Sequence, residues 1–597
     1  MKGDTKTNAR KKELENYAPF VSGMRGDDIS SGANYQMNMS NSRGILEKTK
    51  QDELLADITD FDSIEYVREH ITETGTSQTL VFGFISSVLK LRVIDADGTI
   101  LTPATQTVDS ATGTVTGTLG SATLTGAGSA FLTDLTIGDY VIVDPGDGRV
   151  YQITAIASDT VATIDREYLG TTISGSTLKV YTNYGGTGDA VFFGTLVCRQ
   201  SGKFSIIGHG GDSKMWNGYG ITVLSGAGLI SMANDGARKS YVDTDGKAKF
   251  TDNDPTSGFT GGTGANAAGN YNCGIPVCTA VVEGGTGVIF LGKRDAEAHW
   301  AEESNATDAV SSFTKIESFR YNGEGVENER FVCSTGNSIV IMNSSGIIEI
   351  DPYSGNYTNL IIGGKIERYW NEKIDHSNGF VVYDQENDRI LAQVALDNPT
   401  NNVFIAFDRR EKGKPPYFIN NKYLGHASIV DGKVIGGANS GGIVNTLADN
   451  YLVAEGTPNK SKYITEFDGL GSPQSAKNLQ SINVIAEASP DAILKLKAYF
   501  NNETESPILE KTISVADLTT RDSGAVYGEY VFALGASDLI EENVIRGERY
   551  KFGMRFNTIA VEIWEESNAN FKIYDILVEY KSSNRLDKSV SLKHNLF

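Results

Sequence analysis

Short apolar runs recur along nearly the whole chain, some alternating with polar residues and some wholly apolar. Turn residues separate them. Thr79-Leu80-Val81-Phe82-Gly83-Phe84 and Leu89-Lys90-Leu91-Arg92-Val93-Ile94-Asp95 read as two strands. The second has period-two alternation and stops at the turn Asp95-Ala96-Asp97-Gly98. Between 190 and 450 strands follow one another at spacings of roughly 8–14 residues, among them 203–208, 287–291, 338–342, 346–350, 379–383, 389–394, 402–407 and 433–437. Tight turns such as Asn343-Ser344-Ser345-Gly346 and Val430-Asp431-Gly432-Lys433 join several of them. Four-stranded antiparallel units in series, without intervening helices, predict a β-propeller; a pair of sandwiches fits the same pattern. One short helix is predicted over 57–71, where charges are scattered among apolar residues.

Two stretches differ from this series. Residues 101–190 hold 19 Thr, nine acidic residues and only three basic ones, Arg149, Arg166 and Lys179. Their short alternating strands and the turns at 138–139 and 145–148 predict a small β module inserted into the larger pattern. Residues after 455 again alternate, most cleanly over 558–564 and 571–580, as a half-exposed antiparallel strand requires. The expected organisation is an all-β chain with four parts. Residues 1–100 are an N-terminal arm and the first propeller strands, and 101–186 the inserted barrel or sandwich. Residues 187–452 are propeller blades, and 453–597 a C-terminal β-rich domain that completes the propeller or forms a platform.

Composition supports β structure and narrows the function classes. The chain has 597 residues, enough for two to four domains. Its 65 glycines follow no three-residue period, so they mark turns and not a collagen helix. A net charge of −22 argues against a protein that reads DNA sequence, which needs a basic face. It is compatible with a surface that DNA slides past without sticking. No apolar run reaches the length of a membrane span, and no apolar core follows the basic start before Tyr17. Synthesis in a reducing cytosol is expected, and the four cysteines do not form a secreted disulfide framework.

Candidate chemistry is sparse. Cys273 and Cys278 are the only close cysteine pair, and no second Cys/His pair follows to complete a zinc site. Asp95-Ala96-Asp97-Gly98 and Asp243-Thr244-Asp245-Gly246 lack the remaining ligands of a calcium loop and read as turns. His70, His209, His299, His376, His426 and His594 are all more than four residues apart. Glycoside hydrolysis needs two carboxylates across a cleft; Asp295, Glu297, Asp375 and Asp384 are candidates among 75 acidic residues, with nothing to single them out. Gly261-Gly262-Thr263-Gly264-Ala265-Asn266 follows no strand and opens no helix, so it reads as a loop and not a phosphate cradle. No catalytic, cofactor-binding or metal residue is therefore nominated, and no cofactor is expected.

The order of these pieces resembles the tail nozzle proteins of short-tailed bacteriophages, the tail tubular protein B family. Five stretches carry the resemblance. The opening has Ile29-Ser30-Ser31-Gly32-Ala33 leading to Asn38 and Arg43-Gly44-Ile45-Leu46. The Thr-rich module with Leu124-Thr125-Gly126, Phe131, Gly138-Asp139-Tyr140-Val141-Ile142-Val143 and Tyr151-Gln152-Ile153 is similar to an insert of phage structural proteins. Val288-Ile289-Phe290-Leu291-Gly292-Lys293-Arg294 with Trp300 and Phe313 resembles a blade after that insert. Val382-Tyr383-Asp384 through Val403-Phe404-Ile405-Ala406-Phe407-Asp408 resembles later blades. Phe571 to Tyr580 is similar to the family's closing strand, with its Glu-Tyr end.

The resemblance implies a homohexameric ring in a virion tail, with a propeller in each subunit and no active site. That ring would sit below the head-to-tail adaptor, carry fibres or tailspikes outside, and pass genomic DNA without sequence-specific binding. Two other classes stay open: a carbohydrate-binding or depolymerising tail protein, and a non-viral propeller adhesin or scaffold. Ring formation separates the first reading from both.

Overall fold

The computed structural model describes residues 33–514 and 555–591 apart from shorter segments, among them 145–148, 182–189, 252–267, 303–312, 397–402, 410–416 and 448–460. The basic arm before residue 33, the turn 145–148, the loop 261–266 and the chain end after 591 lie outside the described residues.

The described residues are nearly all-β. Its centre is a β-propeller of seven four-stranded antiparallel blades. Blade 1 is Ser63–Ile71, Ser77–Ile85, Val88–Ile94 and, after a long insertion, Val191–Phe192. Blades 2 to 6 begin at Val197–Ser201, Leu229–Asp235, Cys278–Gly284, Val332–Ser334 and Ile374–Asp384. Blade 7 is Leu424–Val430, Lys433–Ala438 and Ile443–Thr446, and its fourth strand is Glu53–Asp57, from the other end of the propeller sequence. The first strand of each blade packs against the first strand of the next, and Leu424–Val430 packs against Ser63–Ile71. The ring is thus closed.

Apolar runs without alternation mark strands buried on both faces. Ile339–Asn343 is buried at every position, and so is Val403–Asp408. In blade 6 successive side chains serve two seams. Val381, Ile390 and Ile405 join the core shared with blades 4 and 5, while Phe380, Leu391 and Phe404 join the core shared with blade 7. The closing seam between blades 7 and 1 has its own core, with Ile58, Ile64, Val67, Val81, Ile435 and Val444.

Two expectations are corrected here. Residues 57–71 are not helical. They leave strand Glu53–Asp57, turn, and enter strand Ser63–Ile71. The charged residues Glu65, Arg68 and Glu69 sit on an innermost strand whose apolar positions pack into the blade cores. The C-terminal residues, for their part, do not complete the propeller, because Glu53–Asp57 does. Instead Ala33–Met37, Ser461–Thr465, Ile559–Glu565, Ile493–Phe500 and Leu509–Ser514 extend blade 6 into a nine-stranded sheet. A second sheet, with Met39–Ser42, Ile45–Lys48, Phe571–Ser582 and Lys477–Ala488, covers it. Leu479, Ile482 and Val578 from one sheet share a core with Leu494, Leu496 and Val561 from the other. The first and last described strands therefore belong to one platform.

The insertion in blade 1 is a closed six-stranded barrel. Its strands run in the order Thr114–Gly117, Thr123–Ala127, Val161–Ile164, Val150–Ser158, Tyr140–Asp144, Ile173–Tyr181, and the last pairs back to the first. Two of its three basic residues hold it to the propeller. Arg149 Nε and Arg166 Nη2 lie 3.0 and 3.3 Å from the two oxygens of Glu73, in the first hairpin turn of blade 1. Glu73 Oε2 also accepts the Val150 N–H at 3.3 Å. Beside this clamp Phe204 of blade 2 packs against Ile142 and Val150.

Glycine allows the closing seam to be tight. A Cβ on Gly425 would run into the Ile64 carbonyl oxygen, and one on Gly437 into the Ile64 side chain. Backbone cannot yield as a side chain tip can, so overpacking here costs about 1–3 kcal/mol or more. Gly425→Ala is expected to lower the thermal midpoint of the full chain by several degrees. Gly432→Ala, in an open turn, carries only the strain of its positive φ of 74°. Differential scanning calorimetry of the two variants checks this; an unchanged midpoint for Gly425→Ala contradicts so close a seam.

Candidate functional site

The inner strands enclose a cavity of about 680 Å³ on the propeller axis. Residues from every blade line it, including Tyr66, Arg68, Arg199, Glu283, Glu329 and His426. An innermost strand points alternate side chains to opposite faces. Ile71, 43 % exposed, marks a rim.

Three guanidinium groups converge here. Arg199 Nη2 lies 2.6 Å from Glu329 Oε1, and Glu329 is 5 % exposed. This contact is charge to charge, because Glu329 Oε1 accepts no aligned hydrogen bond. Glu329 Oε2 does accept the Met232 N–H, at 3.1 Å. Burial pushes the Glu329 carboxyl up, against the pull of Arg199. Burial also works against the Arg199 charge, yet Glu329 and its other neighbours outweigh it and hold the guanidinium protonated. Arg330, in the short 3-10 turn Glu329–Phe331, reaches Glu65 and the Gly425 carbonyl across the axis. Arg68 donates to Ser428 Oγ at 3.4 Å.

His426 sits among them. Its ring stacks on Tyr66 with centroids 4.4 Å apart, and its Nδ1 accepts the Val67 N–H at 3.2 Å. An accepting Nδ1 leaves the proton on Nε2. Burial first, then the charges of Arg330, Arg68 and Arg199, hold its pKa well below the usual imidazole range. The site is therefore a rigid ring of cations, carboxylates and a neutral imidazole, suited to holding a polar ligand.

The other sequence candidates do not gather at this cavity. His70 is buried in blade 1 with Nδ1 2.8 Å from Ser205 Oγ, and His209 lies 2.8 Å from Lys214 Nζ. Asp384 is buried and accepts from Asn387, while Asp375 accepts from Ser377. Asp295 and the Glu297 side chain lie outside the described residues. Cys198, Cys273 and Cys278 are buried free thiols, with the Cys273 and Cys278 sulfurs 3.5 Å apart. Both Asp-x-Asp-Gly segments are turns, closed by Gly98 N–H to Asp95 O and Gly246 N–H to Asp243 O, each at 2.9 Å. No group of three His, Cys, Asp or Glu side chains that could hold a metal ion occurs among the described residues. No helix among them is long and apolar enough to cross a membrane.

Of the axial residues, sequence reasoning named His426, as one of six histidines, and gave it no role. Arg68, Arg199, Glu283 and His426 are all on first strands of blades, scattered along the sequence from position 68 to 426. A repeat alignment of first strands would have placed them together, but no strict blade motif marks the register.

No family model matches the chain, and no curated protein matches it significantly. Solved structures that resemble it include a quinonprotein alcohol dehydrogenase-like protein from Bacteroides thetaiotaomicron, at 10 % identity and TM-score 0.25, covering 62 % of this chain and 83 % of that one. The endosialidase of phage phi92 is similar at 10 % identity and TM-score 0.18, covering 76 % and 63 %. The tricorn protease is similar at 12 % and 0.22, covering 73 % and 50 %. At these identities and scores the likenesses say nothing of activity.

Two predictions follow from the buried charges. Glu329→Gln leaves the Arg199 charge buried without its partner, which costs about 3–5 kcal/mol. Denaturant unfolding should show that loss, and the double variant Arg199→Met/Glu329→Leu should recover much of it; equal stability of wild type and Glu329→Gln would contradict the pair's burial. The second concerns pH. Burial lowers His70 to about 4, and burial together with Lys214 lowers His209 to about 4. Below pH 6.5 the unfolded chain binds protons that these rings refuse until about pH 4. Stability is thus complete above pH 6.5 and falls as pH falls to 4, by on the order of 3 kcal/mol at His70 alone. Thermal midpoints measured from pH 7.5 to 4.5 should decline across that window, less steeply in His70→Gln; a flat profile contradicts buried neutral imidazoles.

Proposed function

We infer that the chain is a structural subunit of the tail nozzle of a short-tailed bacteriophage. The observation that carries this reading is the platform: strands from before and after the propeller extend the sheet of blade 6 and a second sheet shares their core, so propeller and platform make one stiff body. The barrel, clamped through Glu73, adds a third rigid part. A wall for DNA passage needs stiffness and a surface that does not retain a polyanion. The net charge of −22 suits such a wall, and the order of segments resembles the nozzle family. In this reading six copies form a ring below the head-to-tail adaptor, fibres or tailspikes attach outside, and genomic DNA passes through the shared bore.

Native mass spectrometry and negative-stain imaging, with and without the cognate adaptor, test the reading. The expected result is a six-fold ring with a bore of about 20 Å or more, wide enough for duplex DNA by its groove dimensions. A persistent monomer or trimer under both conditions overturns it.

A further inference from the structure

We propose that Cys273 and Cys278 form an oxidative modification site, where a peroxide converts the two thiols to a disulfide that staples blade 3 to blade 4. The proposal goes beyond the nozzle reading and stands whether or not the chain forms a ring.

The geometry of one blade junction carries it. The chain leaves blade 3 through a fourth strand of only two residues, Gly269–Asn270. It enters blade 4 at Cys278, the first residue of Cys278–Gly284. Between Cys273 and Cys278, Gly274 takes a left-handed turn with φ of 76°. Both cysteines point into one core, with Val242, Phe250, Tyr271 and Phe290. Their sulfurs lie 3.5 Å apart. A disulfide is about 2.05 Å long, so the bond asks for an approach of about 1.5 Å, within reach of rotation about the two Cα–Cβ bonds. The Cys278 N–H donates to the Gly246 carbonyl at 2.7 Å, which fixes the backbone on that side. Among the described residues no third His, Cys, Asp or Glu joins the pair to make a metal group. The chemistry left to it is that of two thiols.

Atoms and electrons balance with hydrogen peroxide as the oxidant. The Cys273 thiolate attacks one peroxide oxygen and the O–O bond breaks. Cys273 becomes a sulfenic acid, and the departing hydroxide takes the proton that the thiol had lost. The Cys278 sulfur then attacks the sulfenic sulfur. The S–S bond forms, the S–O bond breaks, and the hydroxyl leaves with the Cys278 proton as a second water. Access favours this order, since Cys273 is 4 % exposed and Cys278 1 %. Cys273, then burial and the charge of Asp243, hold the Cys278 thiol protonated, so it keeps the proton that the second step uses. The same burial makes the reaction slow and shuts out bulky oxidants such as glutathione disulfide. In a reducing compartment the pair stays as thiols. Once formed, the bond ties the outer edge of blade 3, paired there through Lys249 with Asn270 and Phe250 with Gly269, to the innermost strand of blade 4.

Peptide mapping of the full chain tests this. The native protein is treated with hydrogen peroxide, quenched in acid, alkylated in denaturant and digested with trypsin without reductant. Tryptic peptide 250–293 contains Cys273 and Cys278 and no other cysteine. It should be lighter by about 2 Da, the mass of the two hydrogens lost on oxidation, and should take alkyl groups only after dithiothreitol. The peptides of Cys198 and Cys333 should be alkylated without reduction. Amide exchange over 269–278 should be slower in the linked chain than in the reduced one, and peroxide should not slow it in Cys273→Ser. In Cys278→Ser, Cys273 should stop at the sulfenic acid and react with dimedone. Circular dichroism confirms that each variant is folded. Full alkylation of 250–293 without reductant, added oxygen on its cysteines in place of the link, a link to Cys198 or Cys333, or equal exchange in linked and reduced chains would each overturn the proposal.

Discussion

The pairing of Glu53–Asp57 with Ile443–Thr446 is the constraint on which the rest of the structure depends. A propeller is a row of blades until its last sheet is tied to its first. Here the tie joins residues almost four hundred positions apart, through Ile443 opposite Asp57 and Thr446 opposite Glu53. It brings blade 7 against blade 1 and lets Gly425 and Gly437 seat on Ile64. The axial cavity exists only in the closed ring, because its lining comes from every blade. Loop closure over such a distance costs little more than over half of it, and the buried seam around Val67, Val81 and Val444 offsets that cost.

The same economy governs the additions. The barrel enters between the third and fourth strands of blade 1, where an outer edge tolerates an insertion without disturbing the inner ring. Its attachment is electrostatic and half-buried at Glu73, with a small apolar contact at Phe204. The platform is attached differently. It extends the hydrogen-bond ladder of blade 6 through Ala33–Met37, which lies parallel to Tyr417–Asn420 and antiparallel to Ser461–Thr465. A shared ladder and a shared core resist bending more than a salt-bridged contact does. Stiffness is thus concentrated between propeller and platform.

Much of the fold was legible in the sequence, for a local reason. Hairpins such as Ile339–Asn343 with Gly346–Ile350 carry their turn chemistry between them, and period-two or wholly apolar runs fix their faces. The Thr-rich composition of the barrel marked its strands apart from the blades. Two features were not legible, because they depend on distant pairing. Strand Ser63–Ile71 was read as a short helix because Glu65, Arg68 and Glu69 break its period-two alternation, and only the axis explains charge on an innermost strand. The closing role of Glu53–Asp57 could not be separated from that of the C-terminal strands, since either end is able to supply a fourth strand. The candidate site was invisible for the same reason: Arg68, Arg199, Arg330 and His426 share a neighbourhood only after seven blades close.

Amide hydrogen exchange with fragment-level resolution tests the closed ring most directly. If Glu53–Asp57 completes blade 7, its amides exchange as slowly as those of Ile443–Thr446, and both are released together in Gly425→Ala. Rapid exchange over Glu53–Asp57 beside a protected Ile443–Thr446 would mean that the ring is closed by another strand or left open. The axial cavity would then lose the frame that holds its charges in place.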